Sequence, residues 1–368
     1  MPSPAGANGE EARQGAYRRL RSSPVEEAES ATGKLCSKGT WGLLAMLMSA
    51  FLFSFMALLV KYLPLFTTFE VVFWRSIFMS LMCSIWLGHR RVDPVGPRGD
   101  QTILTLRGIT GFGFMGCFYF AIKTLPLSDA VVITYMAPVI TAVAAAVLLR
   151  EAWGLLDALG SLLSLAGVVL ISKPTFVMGL VGVNAAPLPL YGTLGAICAA
   201  LCATGTYLLL RYARHLDPFV STNYFGAVSI VLSPVFGWAF GETWHMPYGE
   251  AWLKLVLLAL LSVLGQACMN VGLALQTAAK ATAMNYVQVV FAFIFQIAML
   301  HEGSDALSIV GAIMIASWGG VALLKEAVRG KAVTVTSEGA QEALPHLLEG
   351  TPDVSKTDGL KHPLASKV

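Results

Sequence analysis

The sequence predicts an all-α polytopic membrane protein, with ten transmembrane helices arranged as two inverted five-helix repeats. Three observations predict it. Of 368 residues, 56% are hydrophobic and only 13% charged, against about 25% charged in a soluble domain. Ten apolar runs are each long enough to cross a hydrocarbon core of about 30 Å as a helix. The later runs also repeat the earlier ones. The net charge of +3 is small and its basic residues sit in loops and tails, so nucleic acid is not implied as a partner.

Residues 1–38 mix Gly, Pro, Ser, Glu and Arg and read as a disordered cytoplasmic tail. Within it, Arg18-Arg19-Leu20-Arg21-Ser22-Ser23 suits either a phosphorylation site or a basic tail held at the membrane surface. Cys36 is a palmitoylation candidate. The polar start and long first apolar run make that run the insertion signal, with no cleaved leader expected. The spans are read as 41–60, 67–88, 102–122, 128–149, 154–172, 190–210, 218–240, 251–273, 280–300 and 306–324. A second disordered cytoplasmic tail is expected over 326–368. Placing both termini in the cytoplasm puts Arg90, Arg91, Arg98, Arg107, Arg150, Arg211, Arg214 and Lys280 on the inner side. Only Lys61, Lys123, Lys173 and Lys254 then lie outside, the expected positive-inside bias.

The fourth span sits in the most informative stretch, Ala121–Glu151. A polar turn precedes about 20 uncharged residues that contain Thr134, Tyr135 and Pro138. Proline denies the helix a backbone hydrogen bond. A broken, polar helix survives in lipid only when neighbouring helices or a wet cavity satisfy its backbone. This helix therefore reads as lining something. The stretch returns as Ala274–Glu302, with Tyr286 aligned on Tyr135. Val289 replaces Pro138 there, which leaves equal kinking of the two helices open.

The duplication extends further. Trp41–Tyr62 aligns without gaps on Tyr191–Tyr212, and Asp157–Lys173 echoes Asp305–Lys325. The repeats are thus 41–173 and 190–325. Five spans per unit send the second copy in from the opposite face, the inverted-repeat plan of transporters that rock around a central site.

These pieces resemble a known family. LMSAFLFSFMALLVKY, FWRS, GPRGDQTILTLRG, TLPLSDAVVITYMAPVIT, WGLLDALGSLLSLAGVVLISKP and VVFAFIFQIAML are similar to the drug/metabolite transporter superfamily in its EamA-domain form. Within that superfamily they are most like solute carrier family 35, subfamily G. The similarity covers about residues 41–325. It implies ten helices, alternating access and small-solute transport, without fixing the solute.

Arg75 is the first candidate for substrate binding. Eight residues beyond Thr67, it lies about 12 Å into the membrane. A charge near the midplane costs about 2.5–3.5 kcal/mol on insertion scales and faces the bundle interior. It could clamp an anion, or be satisfied by helix carbonyls, waters or Glu70. The aligned position in the second repeat is Phe225, so such a site is asymmetric. The neutral candidates are Gln266 and Asn270, spaced i, i+4, Asn285 and Gln288 beside Tyr286, and the phenols of Tyr119 and Tyr135. Each could equally be an interhelical hydrogen bond of about 0.6 kcal/mol. Lys61, Arg107 and Lys123, near helix ends, read as snorkelling to the headgroups.

Other motifs carry no chemistry. Gly111-Phe112-Gly113-Phe114-Met115-Gly116 spells GxGxxG, but inside a membrane helix it serves close packing, lacking the strand and acidic residue of a dinucleotide site. Five of the six cysteines (Cys83, Cys117, Cys198, Cys202, Cys268) fall in apolar runs and read as packing, with no zinc spacing. His301-Glu302 is no metal motif. No cofactor and no enzyme activity are expected. Glu70, Asp129, Glu151 and Glu302 all lie near helix ends, so no mid-membrane carboxylate carries a proton or sodium ion. The reading is a secondary transporter of small polar or anionic metabolites, facilitated or exchanging, in the plasma membrane or an endomembrane. The alternative is a scaffold or regulatory partner that keeps the fold and moves nothing. An open polar cavity near Arg75, Tyr135 and Gln266 favours the transporter, and an apolar plug favours the scaffold. The partners expected are the bilayer and a small solute, organic anions included; oligomeric state is left open.

Overall fold

The computed structural model describes residues 38–60, 62–63, 65–180, 188–300 and 305–349. The Arg18–Ser23 segment, Cys36, Lys61 and the His301-Glu302 pair lie outside the described residues. The described chain is helical: α1 (Lys38–Val60), α2 (Thr68–Arg90), α3 (Gln101–Thr124), α4 (Leu127–Thr134), α5 (Ala137–Leu148), α6 (Leu155–Ser172), α7 (Thr175–Leu180), α8 (Leu190–Tyr212), α9 (Pro218–Ala239), α10 (Glu250–Leu275), α11 (Ala278–Ala283), α12 (Val287–Leu300) and α13 (Ala306–Glu349). Among the described residues, ten spans are long and apolar enough to cross a membrane, α4–α5 and α11–α12 each making one. The last helix runs on to Glu349, where the sequence places a tail from 326.

The local chemistry accounts for the starts and breaks. At the head of α2, Thr67 and Glu70 form a reciprocal capping box, satisfying two otherwise orphaned N–H groups. Asp217 accepts from Phe219 N at 2.8 Å and Pro218 opens α9, where its missing N–H costs nothing. The fourth span breaks at Tyr135–Met136, and Pro138 takes the second position of α5. Proline offers no N–H to the Thr134 carbonyl one turn back. The ninth span breaks at the corresponding place through a 3-10 turn, Met284–Tyr286, although Val289 stands where the proline would be. The interruption thus belongs to the repeat and not to the proline.

Contacts between repeats come in mirrored pairs, as an inverted duplication requires. α1 packs on α10 as α3 packs on α8, while α2 meets α9 and α6 meets α13. A Cβ on Gly42 would meet Leu275 and Gln276, and one on Gly192 would meet Thr124 and Leu125. α6 and α13 cross through Gly167 and Gly311, each lying against the other's carbonyl oxygen. Their ends are joined twice by the same chemistry: Lys325 to Asp157 at 3.2 Å, and Lys173 to Asp305. The pseudo-twofold axis therefore lies in the membrane plane. The start of the first span and the end of the tenth lie on one face, here the termini face. The outer flanks carry exposed Leu81, Ile85, Val147, Leu155 and Val231, apolar side chains that suit lipid.

Candidate functional site

A cavity of about 390 Å³ lies along the interface of the two repeats. Its lining includes Thr68, the first residue of α2, and Ile122, near the end of α3. On the termini side it stops short, at Arg107 and Tyr207. One turn beyond Tyr207 a clamp closes the bundle. Arg211 Nε donates to Glu151 Oε1 at 2.5 Å, and its Nη1 reaches the carbonyls of Leu273 and Ala274 at 2.8 and 2.9 Å. Glu151 Oε2 accepts Ala278 N at 2.7 Å. This knot ties the ends of α5, α8, α10 and α11. The cavity is one-sided.

Two guanidiniums dominate its chemistry. Arg75, 5% exposed, aims its Nη atoms at the sulfurs of Met56 and Met115, both at 3.7 Å, and its Nε has no partner. Glu70 does not pair with it: that carboxylate is fully buried, accepting Thr67 N and His245 N at the head of α2. Arg107 is the correction to the sequence reading. It does not snorkel. It is 2% exposed, donates from Nη2 to Gln266 Oε1 at 2.6 Å, and leaves Nε and Nη1 unpartnered. Phe225 lies between the two, its ring centroid 6.0 Å from Arg75 and 4.7 Å from Arg107. Gly111 makes room: a Cβ there would sit 3.0 Å from the Phe225 ring and 3.2 Å from Arg107 Nη1. Cation–π contacts are worth about 2 kcal/mol when desolvated, less than a buried charge needs. Among the described residues, no carboxylate lines the cavity.

Six of the eight side chains picked from sequence line it: Arg75, Tyr119, Tyr135, Gln266, Asn285 and Gln288. Two do not. Asn270 Nδ2 donates to Pro218 O at 2.9 Å and approaches Thr222 Oγ1 at 3.4 Å, stitching α10 to the head of α9. Tyr286 is fully buried among Val132, Val168 and Ile315. Besides Arg107, the sequence reading missed Tyr207, which lines the inner end of the cavity with Asn285. Thr134 Oγ1 and Asn285 Nδ2 are buried without partners at the helix breaks, polar atoms that a solute could satisfy. Near the open end, Lys123 Nζ lies 4.4 Å over the Tyr119 ring and 5.7 Å over Phe240.

A duplicated helical bundle enclosing a one-sided cavity, mostly apolar in its lining with two buried guanidiniums set into it, has the plan of an integral multi-pass membrane transporter of small solutes. The chain belongs to the EamA-like transporter family, which it matches over residues 40–173 and 190–324, one match per repeat. It is similar to solute carrier family 35 member G1 of Homo sapiens, at 34% identity over 77% of this chain and 79% of that protein. It is also similar to the pseudopaline exporter CntI of Pseudomonas aeruginosa, at 25% identity over 74% of this chain and 93% of that protein. A solved crystal structure shares the fold, with a TM-score of 0.67 and 17% identity, covering 78% of this chain and 98% of that one.

Proposed function

We propose that the protein carries small organic anions by alternating access, through facilitated passage or exchange, with both termini in the cytoplasm. The observation that carries this reading is the pair of buried guanidiniums facing one cavity with no carboxylate beside them among the described residues. Two uncompensated charges at membrane depth are costly, and an anion entering the cavity supplies the missing counter-charge. The phenols and amides around them give direction-specific hydrogen bonds to the rest of the solute. The clamp at Arg211 and Glu151 seals the cytoplasmic side in this conformer, and rocking would open it while closing the other end. Asp129 is buried but already accepts from Thr175 N at 2.6 Å, which supports exchange over proton drive.

Uptake into proteoliposomes of a panel of organic anions, cations and neutral solutes tests the reading. At least one anion should be moved, with no acceleration by an imposed proton or sodium gradient. Arg75→Ala and Arg107→Ala should each lower its transport; losing one partner of a buried charge contact costs about 2–5 kcal/mol, about 30-fold in affinity at the low end. Movement of cations or neutral solutes alone, or full anion uptake by both variants, would overturn it.

A further inference from the structure

Away from the cavity, three cysteines from different turns converge. Cys117 lies on α3; Cys198 and Cys202 are spaced i, i+4 on α8 and so share one face. Their three sulfurs all lie within 4.8 Å of one another, with Cys117 and Cys198 at 3.4 Å. Depth agrees as well. Cys117 is seven residues from the end of α3 and Cys198 eight from the start of α8, so each lies about 10–12 Å below the same membrane face. Gly113 gives the third sulfur its seat, since a Cβ there would stand 3.2 Å from Cys202 Sγ. All five cysteines outside the N-terminal segment are free thiols.

We propose that Cys117, Cys198 and Cys202 form a three-thiol site for a soft, thiophilic ion of three-coordinate preference, seated between the first repeat and the second. A disulfide would use two sulfurs; the third within reach is what a trigonal ion takes. Metal–thiolate bonds of about 2.3 Å place three sulfurs about 4 Å apart, inside the observed spread. Soft thiolate sets select soft ions. Among the described residues no imidazole or carboxylate joins the cluster, so zinc lacks its usual fourth ligand. The membrane sets the charge: three thiolates around a divalent ion leave a net negative charge at a depth where charge is costly. A trivalent ion leaves none. With arsenous acid the step balances without oxidant or base. Three As–O bonds break and three As–S bonds form, each thiol proton leaves in water, and arsenic stays at +3. Cys198 is exposed on the flank of the bundle, which gives a small neutral molecule its way in.

The test uses the purified full-length chain in reductant, incubated with arsenous acid, desalted and measured for arsenic per chain; zinc is titrated in parallel. One arsenic per chain should be retained. Cys117→Ser, Cys198→Ser and Cys202→Ser should each weaken retention by about 100-fold, because even outer-shell losses at metal sites cost 10–100-fold. Cys83→Ser and Cys268→Ser should leave it unchanged. Thermal unfolding of each variant separates loss of the site from loss of the fold. Retention that survives the three substitutions would overturn the site, and zinc held tightly by the same three thiols would overturn its three-coordinate character. Neither readout depends on which solute the cavity carries.

Discussion

The two repeats share a backbone plan and differ in what they bring to the axis. Arg75 on α2 aligns with Phe225 on α9, and the two meet, the guanidinium 6.0 Å from the ring centroid. Arg107 also comes from the first repeat, while the second supplies the Gln266 amide it donates to. Tyr135 lines the cavity, whereas its counterpart Tyr286 is fully buried beside Val168 and Ile315. Structural contacts are mirrored and chemical ones are not. A bundle that rocks needs equivalent interfaces on both faces, but a solute with one charged end needs a site with one charged side.

That contrast can be broken at its symmetric part first. Gly167→Val and Gly311→Val each drive a side chain into the opposing carbonyl where α6 crosses α13, and overpacking of this kind costs about 3 kcal/mol. Both should lower the thermal unfolding temperature by similar amounts. Strongly unequal losses would contradict the mirrored contact.

Next comes the asymmetric part. Arg75→Phe makes the first repeat resemble the second and removes a charge whose insertion costs about 2.5–3.5 kcal/mol. Anion uptake should collapse while thermal stability holds or rises. A variant that unfolds and fails together would make Arg75 a structural residue.

Smaller effects separate neighbours on one helix. Asn270→Ala should cost about 1 kcal/mol of stability, the worth of a hydrogen bond, and leave uptake affinity near wild type. Gln266→Ala removes the acceptor of the Arg107 bond as well as a cavity amide, and should lower both affinity and unfolding temperature. Smallest of all, Tyr286→Phe removes a hydroxyl with no hydrogen-bond partner and should leave both readouts within about 0.5 kcal/mol. Tyr135→Phe should weaken uptake several-fold.

How much was legible follows from which forces are local. Span length and apolar composition are properties of short windows, so the ten helices could be read directly. The repeat was visible because Trp41–Tyr62 and Tyr191–Tyr212 align without gaps. Arg75 could be found from depth alone. Arg107 could not, because six residues into α3 it is close enough to a helix end to reach water. Its fate is decided by Phe225 and Gln266 from the other repeat. The available hint was Gly111, four residues on and on the same face, which leaves a guanidinium room. Asn270 shares a face with Gln266 by spacing, but helix rotation about its axis is tertiary. The carbonyl of Pro218 lay next to Asn270, while the cavity lay next to Gln266.

The central claim is that the guanidiniums of Arg75 and Arg107 await a negative charge. Thermal unfolding of the purified protein with a dicarboxylate and with its uncharged diamide, matched in shape, tests it most directly. The account predicts that the dicarboxylate raises the unfolding temperature, as ligand binding to the folded state must. The diamide should do nothing, and the gain should vanish in the Arg75→Gln, Arg107→Gln double variant. Equal stabilisation by both compounds, or a gain that persists in the double variant, would contradict it.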